Sequence, residues 1–262
     1  MRCYAVVLAG ILMGSLAIFV RNIHSDPITI TFLRLSLGAL LLLPLSGRPN
    51  IPNLSIVLVV GVLNLLTILC YISAIMYTKV AIAALLLYMA PIYVTAYVWL
   101  FEGKPSRGSL IAIPLSISGL ILMLSPYGRP NLGVLFGLLS GMFYAMLFIT
   151  MKKAREVMGS IHLTFTSLAI SSAILLPFVH LRVDPKDLPW IVGLGIFPTA
   201  LAFTLFSYGI KFCRTERAPI LALVEPVSAG VFGYLFFGEI LGFRQVLGAM
   251  LILAGLMLSH VE

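Results

Sequence analysis

Residues 218–239 read APILALVEPVSAGVFGYLFFGE. The stretch is apolar and about as long as the ~20 residues that cross a bilayer at ~1.5 Å rise each. One ionisable residue, Glu225, falls near its middle, and Pro226 follows it. A carboxylate at that depth costs several kcal/mol unless it is paired, hydrated or protonated. The proline lacks a backbone donor and loosens the helix beside it. A chain that keeps both residues inside an apolar run has a use for them there.

The same character extends outward. Hydrophobic residues make up 61% of the chain and charged residues 10%, against roughly half and a quarter in a soluble domain. Ten spans of ~20 residues use about 200 positions, so the connections are short and leave no room for a soluble domain. The expected fold is a single all-α integral membrane protein with ten transmembrane helices. The net charge of +8 does not point to nucleic acid, because the basic residues are scattered at the ends of apolar runs, as membrane topology requires. Cys3, Cys70 and Cys213 are far apart and odd in number, which reads as apolar filler. Met1-Arg2 before an apolar run resembles a secretory signal, but no small-residue cleavage site precedes Arg21, so a retained first span is expected.

Candidate spans are Cys3–Val20, Ile28–Leu45, Ile56–Met76, Val80–Phe101, Ser109–Leu124, Leu132–Met151, Leu163–Leu181, Leu188–Ile210, Ala218–Phe237 and Val246–Leu258. Turn chemistry separates them, as at Ser25-Asp26-Pro27, Gly47-Arg48-Pro49-Asn50, Gly103-Lys104-Pro105, Gly128-Arg129-Pro130-Asn131 and Asp184-Pro185. Ten spans put both termini on one side. If that side is cytoplasmic, it holds Arg2, Arg48, Lys104, Arg107, Lys152, Lys153, Arg155, Lys211, Arg214 and Arg217, and the other side holds Arg21, Lys79, Arg129, Arg182, Lys186 and Arg244. The positive-inside rule therefore favours cytoplasmic termini in a cell membrane.

The chain also repeats itself. Gly10 and Gly14 recur as Gly137 and Gly141, 127 positions later. Ala83, Pro91, Leu100, Phe101 and Gly103 recur as Ala218, Pro226, Leu235, Phe236 and Gly238, 135 positions later. Glycine and proline carry this register, which distinguishes it from chance likeness among leucine-rich helices. Two five-span halves follow, residues 1–126 and 127–262. Because five is odd, the second half enters the membrane upside down. Inverted repeats of this kind build many secondary transporters, with the site near the midplane between the halves.

Arg34 is the other ionisable residue well inside a span. Three readings of the pair stand: Arg34 binds a substrate anion while Glu225 takes up a proton, or the two form a fixed ion pair, or Arg34 snorkels to water. Asn64, Thr67 and Tyr71 share one helical face, as do Thr204 with Tyr208 and Ser140 with Tyr144. Tyr88, Thr95 and Trp99 lie along one side of Pro91. Hydroxyls and aromatic rings around a cavity suit an amphipathic organic solute, although each residue taken alone could serve helix packing or interfacial anchoring. The expected lining is Asn64, Thr67, Tyr71, Tyr88, Tyr144, Thr204 and Tyr208, with Pro91 and Pro226 as the helix breaks. Gly10, Gly14, Gly133, Gly137 and Gly141 provide small faces for close helix approach. The last span has no polar side chain before its end, so it should face lipid or a second subunit.

Enzyme chemistry finds little support, because no H-E-x-x-H, close carboxylate pair or G-x-S-x-G occurs. His24, His162, His180 and His260 lie at or near span ends, without the partners that a metal site needs. A phosphate-cradling glycine loop with a lysine is also missing, so no cofactor or direct ATP coupling is expected.

From Tyr208 to Gly255 the chain resembles the EamA family of the drug/metabolite transporter superfamily, through Glu225-Pro226, Gly238-Glu239, Gln245, Gly248 and Gly255. The first half resembles it through Gly14, Pro27 with Arg34, Pro91 and Gly119. The first half departs in having Gly103-Lys104 where the family has Gly-Glu, and Ala90 stands where the second half has Glu225. The resemblance implies a central cavity lined by spans one to four and six to nine, with spans five and ten outside it. It also implies export or exchange of a small organic metabolite such as an amino acid, without ATP; monomer and homodimer both stay open as the working unit. The competing readings are a broad drug or toxic-compound exporter and a non-transporting receptor or scaffold.

Overall fold

A computed structural model describes residues 4–46, 54–101, 103, 107–124, 131–154, 158–179, 183–210, 221 and 223–258. Arg2, Cys3, Arg48, Glu102, Lys104, Arg129, Arg155, His180, Leu181, Arg182, Lys211, Cys213, Arg214, Arg217, Ala218 and His260 lie outside the described residues, as do the side chains of Arg107 and Lys152. All regular structure within them is helical. Lipid leaves no alternative, since each backbone N–H and C=O must be satisfied within its own segment.

Among the described residues, ten helical stretches follow the expected order. Six are long and apolar enough to cross a membrane: span two (Pro27–Ser46), span three (Leu54–Tyr77), span four (Val80–Phe101), span six (Leu132–Met151), span seven (Ile161–Phe178) and span eight (Pro185–Phe206). Four are shorter: span one (Tyr4–Val20), span five (Leu110–Leu124), span nine (Val224–Phe237) and span ten (Phe243–Leu258). Their ends obey local chemistry. Pro27 opens span two because its missing N–H is one a first turn leaves unpaired. Asp26 caps that turn, accepting from Thr29 N at 3.0 Å and Thr29 Oγ1 at 2.6 Å. Span seven tightens into a 3₁₀ turn at Leu176–Phe178, where Pro177 removes the donor needed to continue to the expected end at Leu181.

Contacts between connections fix the topology. Arg21, after span one, bonds to the carbonyls of Ile75 and Thr78 around the end of span three and to Glu239 after span nine. His24 bonds to Asp187 at the start of span eight. These connections therefore share one end of the bundle. At the other end His162, in the first turn of span seven, approaches Ser46 O at 3.2 Å. The link between spans one and two and its equivalent between six and seven thus lie at opposite ends. The second half is inverted relative to the first.

The helix pairs repeat under the same operation. Span three packs on six as eight packs on one, span one packs on nine as six packs on four, and spans two–seven, four–nine and five–ten are self-equivalent pairs. Small residues make these approaches possible. A Cβ on Gly14 would stand 2.9 Å from both Ala229 N and Glu225 O; one on Gly141 would stand 2.5 Å from Leu86 O. Span ten, expected to face lipid or a second subunit, lies antiparallel along span five, where Gly119 and Gly255 leave room for the carbonyls of Gly248 and Ala112.

Candidate functional site

Span four is two helices, Val80–Leu87 and Ala90–Phe101, with Tyr88 and Met89 in the break. In span nine the helix Val224–Phe237 likewise begins after a turn, at Leu223. Pro91 and Pro226, equivalent by the repeat, each fall in the first turn of these helices, where a missing N–H costs least. Glu225 therefore sits at a helix start, where the positive end of the backbone dipole favours a carboxylate. Its equivalent in span four is Ala90.

Arg34 and Glu225 are 6% and 8% exposed. They come from opposite halves and face one another electrostatically, together with Tyr71, but do not form a direct ion pair. Tyr88 OH donates to Glu225 Oε2 at 2.8 Å, and Arg34 Nε donates to Thr199 Oγ1 at 3.3 Å. Glu225 Oε1 and the two terminal nitrogens of Arg34 find no hydrogen-bond partner among the described residues. The fully enclosed side-chain atoms without a partner are Thr78 Oγ1 and Ser116 Oγ, among the described residues. The free ends of Arg34 and Glu225 therefore still touch open space. Tyr144 joins the cluster through its interaction with Tyr71 and Tyr88. A guanidinium with two free N–H pairs and a carboxylate with one free oxygen can receive an anion and a cation or proton, beside three tyrosines that offer ring faces.

The other expected lining residues lie elsewhere. Asn64 Nδ2 donates to Ser171 Oγ at 3.3 Å in the seam between spans three and seven. Thr67 is buried and returns its hydroxyl to Leu63 O at 2.7 Å. Thr204 bonds back to Ala200 O at 2.7 Å and borders a small apolar gap with Leu42, Ile161 and Phe203. Tyr208 is about half exposed near the end of its helix.

Thr199 was not singled out from the sequence. It is fully buried in a π-helical stretch, Ile196–Leu201, and its hydroxyl also donates to Leu194 O at 2.8 Å, five residues back. Pro198 withholds the donor that would keep the α-helical register, which turns Thr199 toward span two. A hydroxyl next to a mid-span proline was the available signal. Ser228, which bonds to Glu225 O at 2.9 Å and Gly10 O at 3.4 Å, sits one turn beyond Glu225 and was likewise missed.

The sequence pattern of the EamA-like transporter family matches residues 2–125 and again residues 131–261. A protein of Archaeoglobus fulgidus named an uncharacterized transporter is 44% identical over 98% of this chain and 96% of its own length. The pseudopaline exporter CntI of Pseudomonas aeruginosa is 25% identical over 85% of this chain and 82% of its own. The inner membrane transporter YicL of Salmonella typhimurium is 24% identical over 83% and 76%. A solved crystal structure superposes with a TM-score of 0.69 at 17% identity, over 98% of this chain and 95% of the other, which shows a shared fold. A family pattern that matches both halves, and a near-full-length relative at 44% identity, lead to one conclusion: this membrane protein belongs to the EamA-like transporter family.

Proposed function

We propose that this chain is a secondary transporter that moves a small polar or amphipathic organic metabolite across the cell membrane by alternating access, in the direction of export. The observation that carries the reading is the central cluster. Two buried charges from opposite halves meet among three tyrosines, and each keeps a free end. A purely structural ion pair would close on itself, because an unmatched buried charge costs several kcal/mol. Glu225 is the residue for coupling or for a cationic group, Arg34 the residue for an anionic group, and the breaks beside Pro91 and Pro226 are the flexible points. The halves, residues 1–126 and 127–262, would rock against each other about this site, with both termini cytoplasmic. The likeness to an exporter named for pseudopaline supports the outward direction and an organic solute.

A thermal-shift screen of the purified protein against amino acids, nucleosides, sugars and lipophilic cations identifies the chemical class, since a ligand that binds the folded form raises its melting temperature. Proteoliposomes then measure counterflow of the strongest hit. Glu225→Gln should slow uptake about thirtyfold or more, as expected for loss of ~2 kcal/mol from a desolvated charge, and should flatten its pH dependence. Unchanged uptake and pH dependence would refute the role of Glu225. Binding without counterflow would refute transport.

A further inference from the structure

We infer that Arg21, Lys79 and Glu239 form a latch that seals the bundle at the end opposite the termini, and that the sequence repeat does not carry its residues over to the other end. The inference rests on the alternating-access reading and adds which end the resting state closes.

The latch begins in a backbone turn. Span nine ends at Gly238, whose φ of +62° lies in the left-handed region that glycine adopts without a Cβ clash. The turn is closed by a hydrogen bond from Glu239 N to Gly233 O at 3.1 Å. It folds the Glu239 side chain back over the bundle. Glu239 Oε1 meets Arg21 Nη1 at 2.6 Å, and Oε2 accepts the N–H of Val80, the first residue of span four, at 2.7 Å. Arg21 also donates from Nε and Nη2 to Ile75 O at 3.1 and 3.0 Å, and from Nη2 to Thr78 O at 2.7 Å. Its guanidinium carbon lies 4.7 Å from the centre of the Phe237 ring. Lys79 Nζ reaches across to Ile240 O at 2.6 Å and Gln245 Oε1 at 3.2 Å.

Three side chains thereby tie spans one, three, four, nine and ten. Spans one, four and nine are the helices that enclose Glu225, through Gly10, Gly14 and Tyr88. Opening this end must separate them and break most of these bonds together. Multidentate, charge-assisted contacts on shared partners are the arrangement in which ion pairs contribute more than an isolated surface pair.

The sequence repeat does not keep the latch residues. Gly103-Lys104 precede Gly238-Glu239 by 135 positions, and Phe148 follows Arg21 by 127. By sequence, then, the positions equivalent to Glu239 and Arg21 hold Lys104 and Phe148, a cation and a benzyl group. These residue types cannot form the same carboxylate–guanidinium pair. A state closed at the other end must be held by different contacts, so the latch biases the resting equilibrium.

The test reads which face reaches the centre. In the full-length chain, Cys3, Cys70 and Cys213 are changed to serine and Tyr71→Cys supplies a reporter. Vesicles of both orientations, with the termini located by a protease-cleavable C-terminal tag, are treated with a charged, membrane-impermeant maleimide. With the latch intact, the reporter should label slowly from the face opposite the termini. Glu239→Gln and Arg21→Gln should each raise that rate about tenfold, and Lys79→Met should raise it less. Should either of the first two prove misfolded by gel filtration, Lys79→Met, which leaves the Arg21–Glu239 pair in place, decides the matter. Well-folded variants whose labelling from that face stays the same overturn the latch. A reporter that labels equally from both faces in every variant instead counts against alternating access itself.

Discussion

Span three and span eight carry the same pattern, Thr67 with Tyr71 and Thr204 with Tyr208, yet Tyr71 is 4% exposed and Tyr208 46%. The two halves are equivalent in fold and unequal in chemistry. Span three is an unbroken α-helix from Leu54 to Tyr77, whereas span eight passes through a π-helical stretch at Ile196–Leu201. Thr31, Phe32, Leu35 and Pro44 recur 133 positions later as Thr164, Phe165, Leu168 and Pro177, and that register sets Ser167 opposite Arg34. Glu225 answers to Ala90, and Glu239 to Lys104. Each half contributes one of the two deep charges. Repetition supplies a scaffold whose halves can exchange roles mechanically, and divergence gives the centre a polarity that neither half could provide twice. Two copies of Arg34 or of Glu225 facing each other would repel in a medium with little water to screen them.

Several substitutions break or sharpen this contrast. The largest effect is expected where the halves are alike. Gly14→Leu on span one and Gly141→Leu on span six each drive a side chain into the backbone of the facing helix. Both should lower the unfolding temperature in detergent by roughly 5 °C or more, as overpacking of ~2 kcal/mol would; tolerance of one alone would show that the seams are not equivalent. Next comes the asymmetric pair of Arg34 and Ser167. Arg34→Met removes the guanidinium while keeping much of its volume, and should weaken the strongest anionic hit of a ligand screen by about thirtyfold. Ser167→Ala should change that affinity less than about threefold. Equal losses at the two positions would mean that Arg34 has no special part in binding. The smallest effect is expected at the paired tyrosines. Tyr71→Phe deletes a buried hydroxyl beside the two charges and should cost ~1 kcal/mol in thermal stability, and Tyr208→Phe less than ~0.5 kcal/mol. A reversed order would overturn the distinction drawn from their exposure.

Much of the scaffold was legible in the residues. Glycine and proline at fixed separations revealed the repeat, because a repeated close approach or helix break must repeat the residues that permit it. Pro91 and Pro226 marked the interrupted spans for the same reason. Site lining was read less well. Helical spacing places Asn64, Thr67 and Tyr71 on one face, but that face borders more than one neighbour. Asn64 is taken up by Ser171 of span seven, Thr67 by its own backbone, and Tyr71 alone of the three reaches the charges. Thr199 escaped notice because an α-helical register does not anticipate the extra residue of a π-turn.

The sequence by itself determined that the chain lives in lipid, that it is helical, that it is doubled and inverted, and that one anion and one cation lie deep within it. Each of these follows from local chemistry: transfer cost, backbone satisfaction and the parity of the spans. Only the tertiary structure decided that Arg34 and Glu225 share one centre without pairing, that Thr199 steadies the arginine, and that Arg21 and Glu239 clasp one end. Those facts depend on which helix stands beside which, and residues more than 150 positions apart in the chain meet only when the two halves interleave.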